Sequence, residues 1–234
     1  MRRAAALLLA ALAAAPAALA PAPLAAQGWA ARLGLDRLER LRRPVVVWGE
    51  LAVVEHRVAL GDEVEQATGP VPGIAAQASL TSWLDLRAAV RGGTLGADGA
   101  PAEERRMGEL ALAAEAIPLS WIAVVGGVST RVYRTDFGRQ RWTRLTIGPE
   151  VRTPLHGRFA GRVRVAAAPY VAVSDTRAPT RALEGAAAVT YESARLRASL
   201  AYSLERYDFE PAQGSRRLEQ VSGLTASLGW RLGR

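Results

Sequence analysis

Histidine is the side chain most often used for acid–base chemistry near neutral pH, and the sequence holds two, His56 and His156. His56 falls near the end of the first predicted strand, whereas His156 falls in a predicted tight turn, where a structural role is favoured. The sequence contains no HExxH motif, no phosphate-binding loop and no metal-ligand spacing. The absence of cysteine excludes disulfides, thiolate metal sites and cysteine nucleophiles. We therefore predict no catalytic residues, no cofactor and no metal site.

Arginine and acidic residues are the other candidates for function, because they recur at every second position along segments that are otherwise apolar. All 30 basic residues are arginine, and the formal net charge is +8. The predicted lumen-lining residues are Arg87, Arg91, Arg131, Arg144, Glu150, Arg152, Arg162, Arg164, Arg195, Arg197, Glu205, Arg217, Glu219 and Arg231, joined on the same face by Asp85, Glu109, Glu115 and Glu184. These eleven arginines and seven acids leave a formal excess of four positive charges.

The elements that must position these side chains are β-strands with one apolar and one polar face. The last stretch, GLTASLGWRLGR, alternates strictly, with Leu224, Leu228 and Leu232 on one face and Thr225 and Arg231 on the other. Eight further segments after Pro44 carry the same two-residue period, and residues 46–58 are predicted as a first strand whose parity is unclear. The sequence therefore predicts an all-β protein of about ten strands, with eight strands and an N-terminal hairpin as the alternative.

The apolar face distinguishes a membrane barrel from a soluble one, because both share the same period. This face is nearly free of charge over about ten residues per strand, which is the length that a tilted strand needs to cross hydrocarbon. Open sheet edges cannot exist in lipid, so the strands must close into a barrel. We predict a closed antiparallel up-and-down transmembrane β-barrel over residues 44–234. A soluble periplasmic barrel that buries its leucines and binds an apolar ligand is the alternative.

The connections alternate between short and long, as expected for outer-membrane barrels. Tight turns are predicted at 81–83, 118–121, 153–157 and 192–194, and longer polar loops at 61–73, 96–104, 134–140, 174–181 and 210–216. Two predicted aromatic girdles mark the two ends of the strands. The girdle near the tight turns comprises Trp83, Trp121, Phe159, Tyr191 and Trp230, and the girdle near the long loops comprises Tyr133, Trp142, Tyr207 and Phe209.

The first residues have the pattern of a secretory signal peptide. Arg2 and Arg3 precede a short apolar run, and prolines and small residues follow it. We predict a Sec signal peptide over residues 1–26 and an amphipathic lead-in over residues 27–43. Export and the even spread of arginines over the strands both argue against binding to nucleic acid.

The signal peptide, the alternating strands and the terminal strand with Trp230 resemble the outer-membrane β-barrel superfamily of small, porin-like bacterial proteins. The resemblance covers residues 44–234 and implies a location in the outer membrane. It also implies contact with outer-membrane lipid and lipopolysaccharide, and with the barrel-assembly machinery that recognises the last strand. Some barrel proteases and lipid deacylases of this superfamily use a histidine at the outer rim, but no second element of such a site can be identified near His56.

Two functions are consistent with these features. In the first, internal ion pairs brace a structural or adhesive barrel whose lumen is filled by side chains. In the second, the excess of arginine lines a narrow anion-preferring pore.

Overall fold

The computed structural model describes residues 45–97, 104–135, 138–174, 176–211 and 215–232. The predicted signal peptide (1–26) and lead-in (27–43) lie outside the described residues.

Ten β-strands account for most of the described chain, because the two-residue alternation persists through each of them. Their lengths range from 12 residues in β8 to 18 in β6. The strands are β1 (Val45–Leu60), β2 (Glu63–Ser79), β3 (Leu84–Ala97), β4 (Arg105–Leu119), β5 (Ile122–Arg134), β6 (Arg139–His156), β7 (Phe159–Val173), β8 (Arg181–Glu192), β9 (Leu196–Asp208) and β10 (Arg217–Leu232).

Each strand pairs antiparallel with its neighbours in the sequence, and the sheet closes on itself. Closure occurs between β1 and β10, which pair continuously from Val45 opposite Leu232 to Leu60 opposite Arg217. Every strand therefore has a hydrogen-bonded neighbour on both sides, as a sheet in lipid requires. The predicted all-β closed antiparallel barrel with ten strands is confirmed.

The aliphatic side chains of the strands face outward and the charged ones face inward. Ile74 on β2 and Leu228 on β10, the two strands that flank β1, are 62% and 60% exposed. Glu109, Arg131 and Glu219 are at most 5% exposed, although they carry charge. A soluble barrel would show the reverse distribution, so the alternative that buries the leucines is wrong.

The first long loop predicted from the sequence, residues 61–73, is wrong. The chain turns at Gly61 and Asp62, with Gly61 at φ +60°, and β2 begins directly at Glu63. Proline cannot donate to a β-ladder, so Pro70 and Pro72 each remove one hydrogen bond from this strand. Both prolines pair with β1, and the pairing of β2 with β3 is interrupted between Thr68 and Gly73. The backbone N–H donors that the two prolines lack therefore fall in the stretch where β2 and β3 are not paired.

The two rims of the barrel differ in their connections. The short-turn rim carries the connections 80–83, 120–121, 157–158 and 193–195, and the long-loop rim carries 61–62, 98–104, 135–138, 174–180 and 209–216. β6 runs further than predicted, so His156 is its last residue, and the turn that follows uses Gly157 at φ +57°. Across the described residues, no helix has the length and apolar composition needed to cross a membrane.

Candidate functional site: the barrel lumen

The lumen receives one side chain from every second residue of each strand, because successive side chains point to opposite faces. Thirteen of the fourteen predicted lumen residues contact other interior groups or line an interior cavity. The prediction for Arg195 is wrong. This residue is exposed in the turn before β9, which begins at Leu196, so the alternation of the strand does not extend to it.

A network of buried ion pairs crosses the middle of the lumen. The Arg131 guanidinium on β5 donates through Nε to Glu109 at 2.8 Å, and through Nη1 and Nη2 to Glu205 at 2.8 and 2.9 Å. Arg144 on β6 lies 2.6 Å from Glu205, and Arg91 on β3 donates to Glu109 at 2.9 Å. Bidentate arginine–carboxylate pairs are among the stronger and more directional hydrogen bonds in proteins.

The geometry of this network joins opposite walls. Glu205 lies on β9, which is four strands away from β5 around the ten-stranded ring. The Tyr207 hydroxyl donates to Glu205 at 2.8 Å and accepts from Arg144 at 2.9 Å, so the next inward side chain on β9 belongs to the same network. The central layer therefore closes the cross-section with side chains held by several hydrogen bonds each.

Between this network and the long-loop rim, the lumen is filled by apolar and aromatic side chains. The predicted outer girdle of Tyr133, Trp142, Tyr207 and Phe209 is wrong, because all four are buried at 3–6% exposure inside the barrel. Trp142 packs on the rings of Tyr207 and Phe209 at centroid distances of 4.9 and 6.1 Å. We call this set, with the Val54, Val71, Leu95, Met107 and Val221 side chains beside it, the aromatic plug.

The aromatic residues at the short-turn rim are placed differently. Trp83, Trp121, Phe159 and Trp230 are 47–54% exposed on the outer surface. Tyr191 is partly buried and packs against Phe159 at a centroid distance of 5.3 Å. Four of the six exposed aromatic rings of the described barrel thus lie near the short-turn rim, and the other two, Tyr170 and Tyr202, lie further along β7 and β9.

His56 is buried in the long-loop half, and both of its ring nitrogens are occupied. Nε2 lies 3.2 Å from Glu219 Oε2, Nδ1 lies 3.2 Å from Arg105 Nη1, and the ring stacks on Tyr133 at 4.5 Å. Because arginine can only donate, Nδ1 accepts and Nε2–H donates to the carboxylate. The sequence missed Glu219 as a partner, since the contact depends on the pairing of the first strand with the last. A histidine tied at both nitrogens has no free lone pair for a substrate proton.

Water-accessible space remains in the half of the lumen nearer the short-turn rim. A cavity of about 310 Å³ extends from the central network, and a second of about 210 Å³ lies at the mouth. The two share Gln77, Asp85, Arg162 and Arg197 in their walls, so we treat them as one vestibule. No group of three or more potential metal ligands occurs among the described residues.

The charges inside the barrel are nearly balanced, unlike the predicted excess of four. Arg195 leaves the set, whereas Arg105, Glu50, Glu65 and Glu192 join it through ion pairs with interior partners. Eleven arginines then face ten acids. Alternation does not assign these acids, because the parity of the first strand is unclear at Glu50, Glu65 falls in the predicted loop 61–73, and Glu192 falls in a predicted turn.

The outer-membrane protease OmpT from Escherichia coli matches with a TM-score of 0.57 and 10% sequence identity, over 82% of this chain and 98% of that chain. The chain has the outer-membrane β-barrel fold. An outer-membrane channel from Pseudomonas putida F1 (TM-score 0.49, 10% identity, 81% and 95% covered) and the translocator domain of the autotransporter NalP from Neisseria meningitidis (TM-score 0.47, 13% identity, 89% and 95% covered) are also similar to this chain.

No protein-family model matches the chain, and no curated protein matches it.

Proposed function

We propose that the protein is a structural barrel of the outer membrane whose lumen does not conduct solutes. The observation that carries this proposal is the filled cross-section on the long-loop side of the vestibule. Arg131 and Arg144 reach across it to Glu205, and the aromatic plug follows directly above. Barrels of this size have interiors that side chains can fill.

A narrow anion-preferring pore is the competing function. The vestibule favours it, because this part of the lumen is polar and lined by several arginines. The near balance of interior charge weakens the preference for anions, since each interior carboxylate offsets one arginine of the selectivity ring. We expect any conduction to require displacement of both the central network and the plug.

Lipopolysaccharide is the proposed partner on the outer surface. Arg106, Arg134 and Arg139 face outward near the long-loop rim and pair directly across β4, β5 and β6. Arg141 is exposed on the same face of β6. Like charges that lie opposite each other on neighbouring strands repel. The phosphate groups of lipopolysaccharide would relieve this repulsion through charge-assisted hydrogen bonds.

The proposed location requires insertion, for which the barrel-assembly machinery is the expected partner of β10. The outward-facing Leu224, Leu228 and Trp230 of this strand support that role, since they are 50–60% exposed. We propose no enzymatic activity, in keeping with the occupied nitrogens of His56.

Planar-bilayer conductance of the refolded protein tests the structural role against the pore. The wild-type protein is expected to insert without discrete current steps. A variant that opens the lumen should produce current steps, and such steps would show that the assay detects inserted barrels. This variant carries Arg131→Ala, Arg144→Ala, Trp142→Ala and Tyr207→Ala. A matched change of lipid-facing rings, Trp83→Ala with Trp121→Ala, should stay silent. Discrete wild-type channels would overturn the proposal.

A further inference from the structure

The mouth of the vestibule holds an arrangement of arginines that neither the plug nor a structural role explains. Val46, near the start of β1, pairs with Arg231, near the end of β10. Both residues line this mouth, which therefore lies at the short-turn rim. In outer-membrane barrels the short turns face the periplasm. The mouth therefore opens to periplasmic solutes, whereas the opposite end of the lumen is closed by the aromatic plug.

Three of the mouth arginines share a single carboxylate. Glu192 lies 3.2 Å from Arg197 Nε, 3.8 Å from Arg162 Nη2 and 4.0 Å from Arg231 Nη2. Only the first of these separations is a hydrogen-bond length. Arg162 is also 3.9 Å from Glu150, so its guanidinium has carboxylates nearby but no short bond to either.

The other charged groups at the mouth have partners of their own. Arg152 is paired with Glu115 and with Glu150, and Asp85 accepts a hydrogen bond from Gln77 at 2.6 Å. Arg162, Arg197 and Arg231 are thus left around Glu192, and their guanidinium groups border one cavity of about 210 Å³.

The cluster is also held in place before any ligand arrives. Arg197 donates to Gln77 at 3.3 Å and lies 5.8 Å from the Trp48 ring, which restrains its position. The side chains of Arg162 and Arg197 are 21% and 18% exposed, so they are only partly hydrated. Arranged, partly desolvated guanidinium groups bind oxyanions through several N–H donors at once.

We propose that the vestibule mouth binds a phosphate-type dianion from the periplasm through Arg162, Arg197 and Arg231. Arg162 and Arg231 lie beyond hydrogen-bond length from Glu192, and the oxygens of a doubly charged oxyanion can accept hydrogen bonds from more than one guanidinium. Glu192 occupies the centre of the cluster and competes with the ligand for the same donors. The site is a binding site within a closed barrel, and it does not depend on conduction through the lumen.

Isothermal titration of the refolded protein in detergent micelles with inorganic phosphate, at pH 8 and low salt, tests the site. The wild-type protein should bind phosphate saturably, and Arg162→Gln with Arg231→Gln should weaken binding at least tenfold. Arg139→Gln with Arg141→Gln removes the same charge from the outer surface and should leave the affinity unchanged. A heat-modifiable shift on gels confirms that each variant is folded.

The Glu192→Gln variant separates a binding site from a set of bracing ion pairs. Removing the competing charge should strengthen phosphate binding several-fold, whereas a purely structural role predicts no gain. Glycerol 3-phosphate, a dianionic monoester, should compete with phosphate, and a monoanionic phosphodiester such as glycerophosphocholine should compete poorly. Absence of wild-type binding, equal losses in both arginine pairs or weaker binding by Glu192→Gln would each overturn the proposal.

Discussion

Among single arginine-to-alanine substitutions, Arg131→Ala should destabilise the barrel most. Arg131 makes three hydrogen bonds to Glu109 and Glu205, and all three side chains are 3–7% exposed. Removing one partner of a buried ion pair typically costs about 3–5 kcal/mol, because an uncompensated charge is left in a poorly hydrated place.

The structure places the expected value at the lower end of that range. Glu109 retains Arg91 at 2.9 Å and Arg144 at 3.4 Å, and Glu205 retains Arg144 at 2.6 Å. We therefore expect Arg131→Ala to lower the free energy of unfolding by about 3 kcal/mol, which is more than a hundredfold in the equilibrium constant.

Reversible guanidinium unfolding in detergent micelles, followed by tryptophan fluorescence, measures this loss. Arg141→Ala is the matched control, since Arg141 is exposed on the outer surface and should change the free energy of unfolding by no more than about 0.5 kcal/mol. The double variant Arg131→Met with Glu205→Gln should recover part of the loss, because it removes a charge of each sign. A value for Arg131→Ala within about 0.5 kcal/mol of wild type would refute the role assigned to the network.

Two further outcomes are expected. Gly148→Ala should destabilise the barrel by about 1–3 kcal/mol, because a Cβ atom there would collide with the Val165 carbonyl oxygen and the Ala166 backbone, whereas Gly185→Ala meets no atom within 4 Å and should be nearly neutral in the same unfolding assay. Arg134→Gln with Arg139→Gln should reduce co-purification with lipopolysaccharide, and dephosphorylated lipopolysaccharide should bind both proteins equally weakly; undiminished binding of the intact lipid by the variant would contradict the proposed phosphate contacts.

The strands and their two faces could be predicted from the sequence because a membrane barrel offers only two environments to alternating residues. The pattern in Leu224–Leu232 carries enough information to assign each side chain to lipid or lumen. The same rule fails at strand ends. Arg195, predicted in a strand, lies in the turn before β9, and Glu192, predicted in a turn, is the last residue of β8. Alternation also places Trp142 and Tyr207 inside the barrel, because they share parity with the interior Arg144 and Glu205. Their height near the long-loop rim is instead typical of a lipid-facing girdle, which is why the girdle prediction fails for them.

The partners within the lumen could not be predicted from alternation. Arg131 and Glu205 are 74 residues apart, and they meet only because the stagger of the closed sheet brings β5 and β9 to the same height. The same holds for His56 and Glu219, which are 163 residues apart on the first and last strands. Charge signs along one strand indicate that ion pairs can form, but the barrel geometry decides which ones do.

The uneven filling of the lumen also bears on how such a barrel enters a bilayer. A barrel inserted from the periplasm leads with its long-loop rim, and that end must traverse the hydrocarbon while the short-turn rim remains in water. Each charge carried to the bilayer centre costs about 3 kcal/mol. The leading end contains the rings of Trp142, Tyr207 and Phe209 and the ion pairs Arg105–Glu65 and Arg217–Glu219, while the vestibule arginines trail behind. The vestibule charges therefore never have to pass the membrane midplane, as they would if the barrel inserted in the opposite direction.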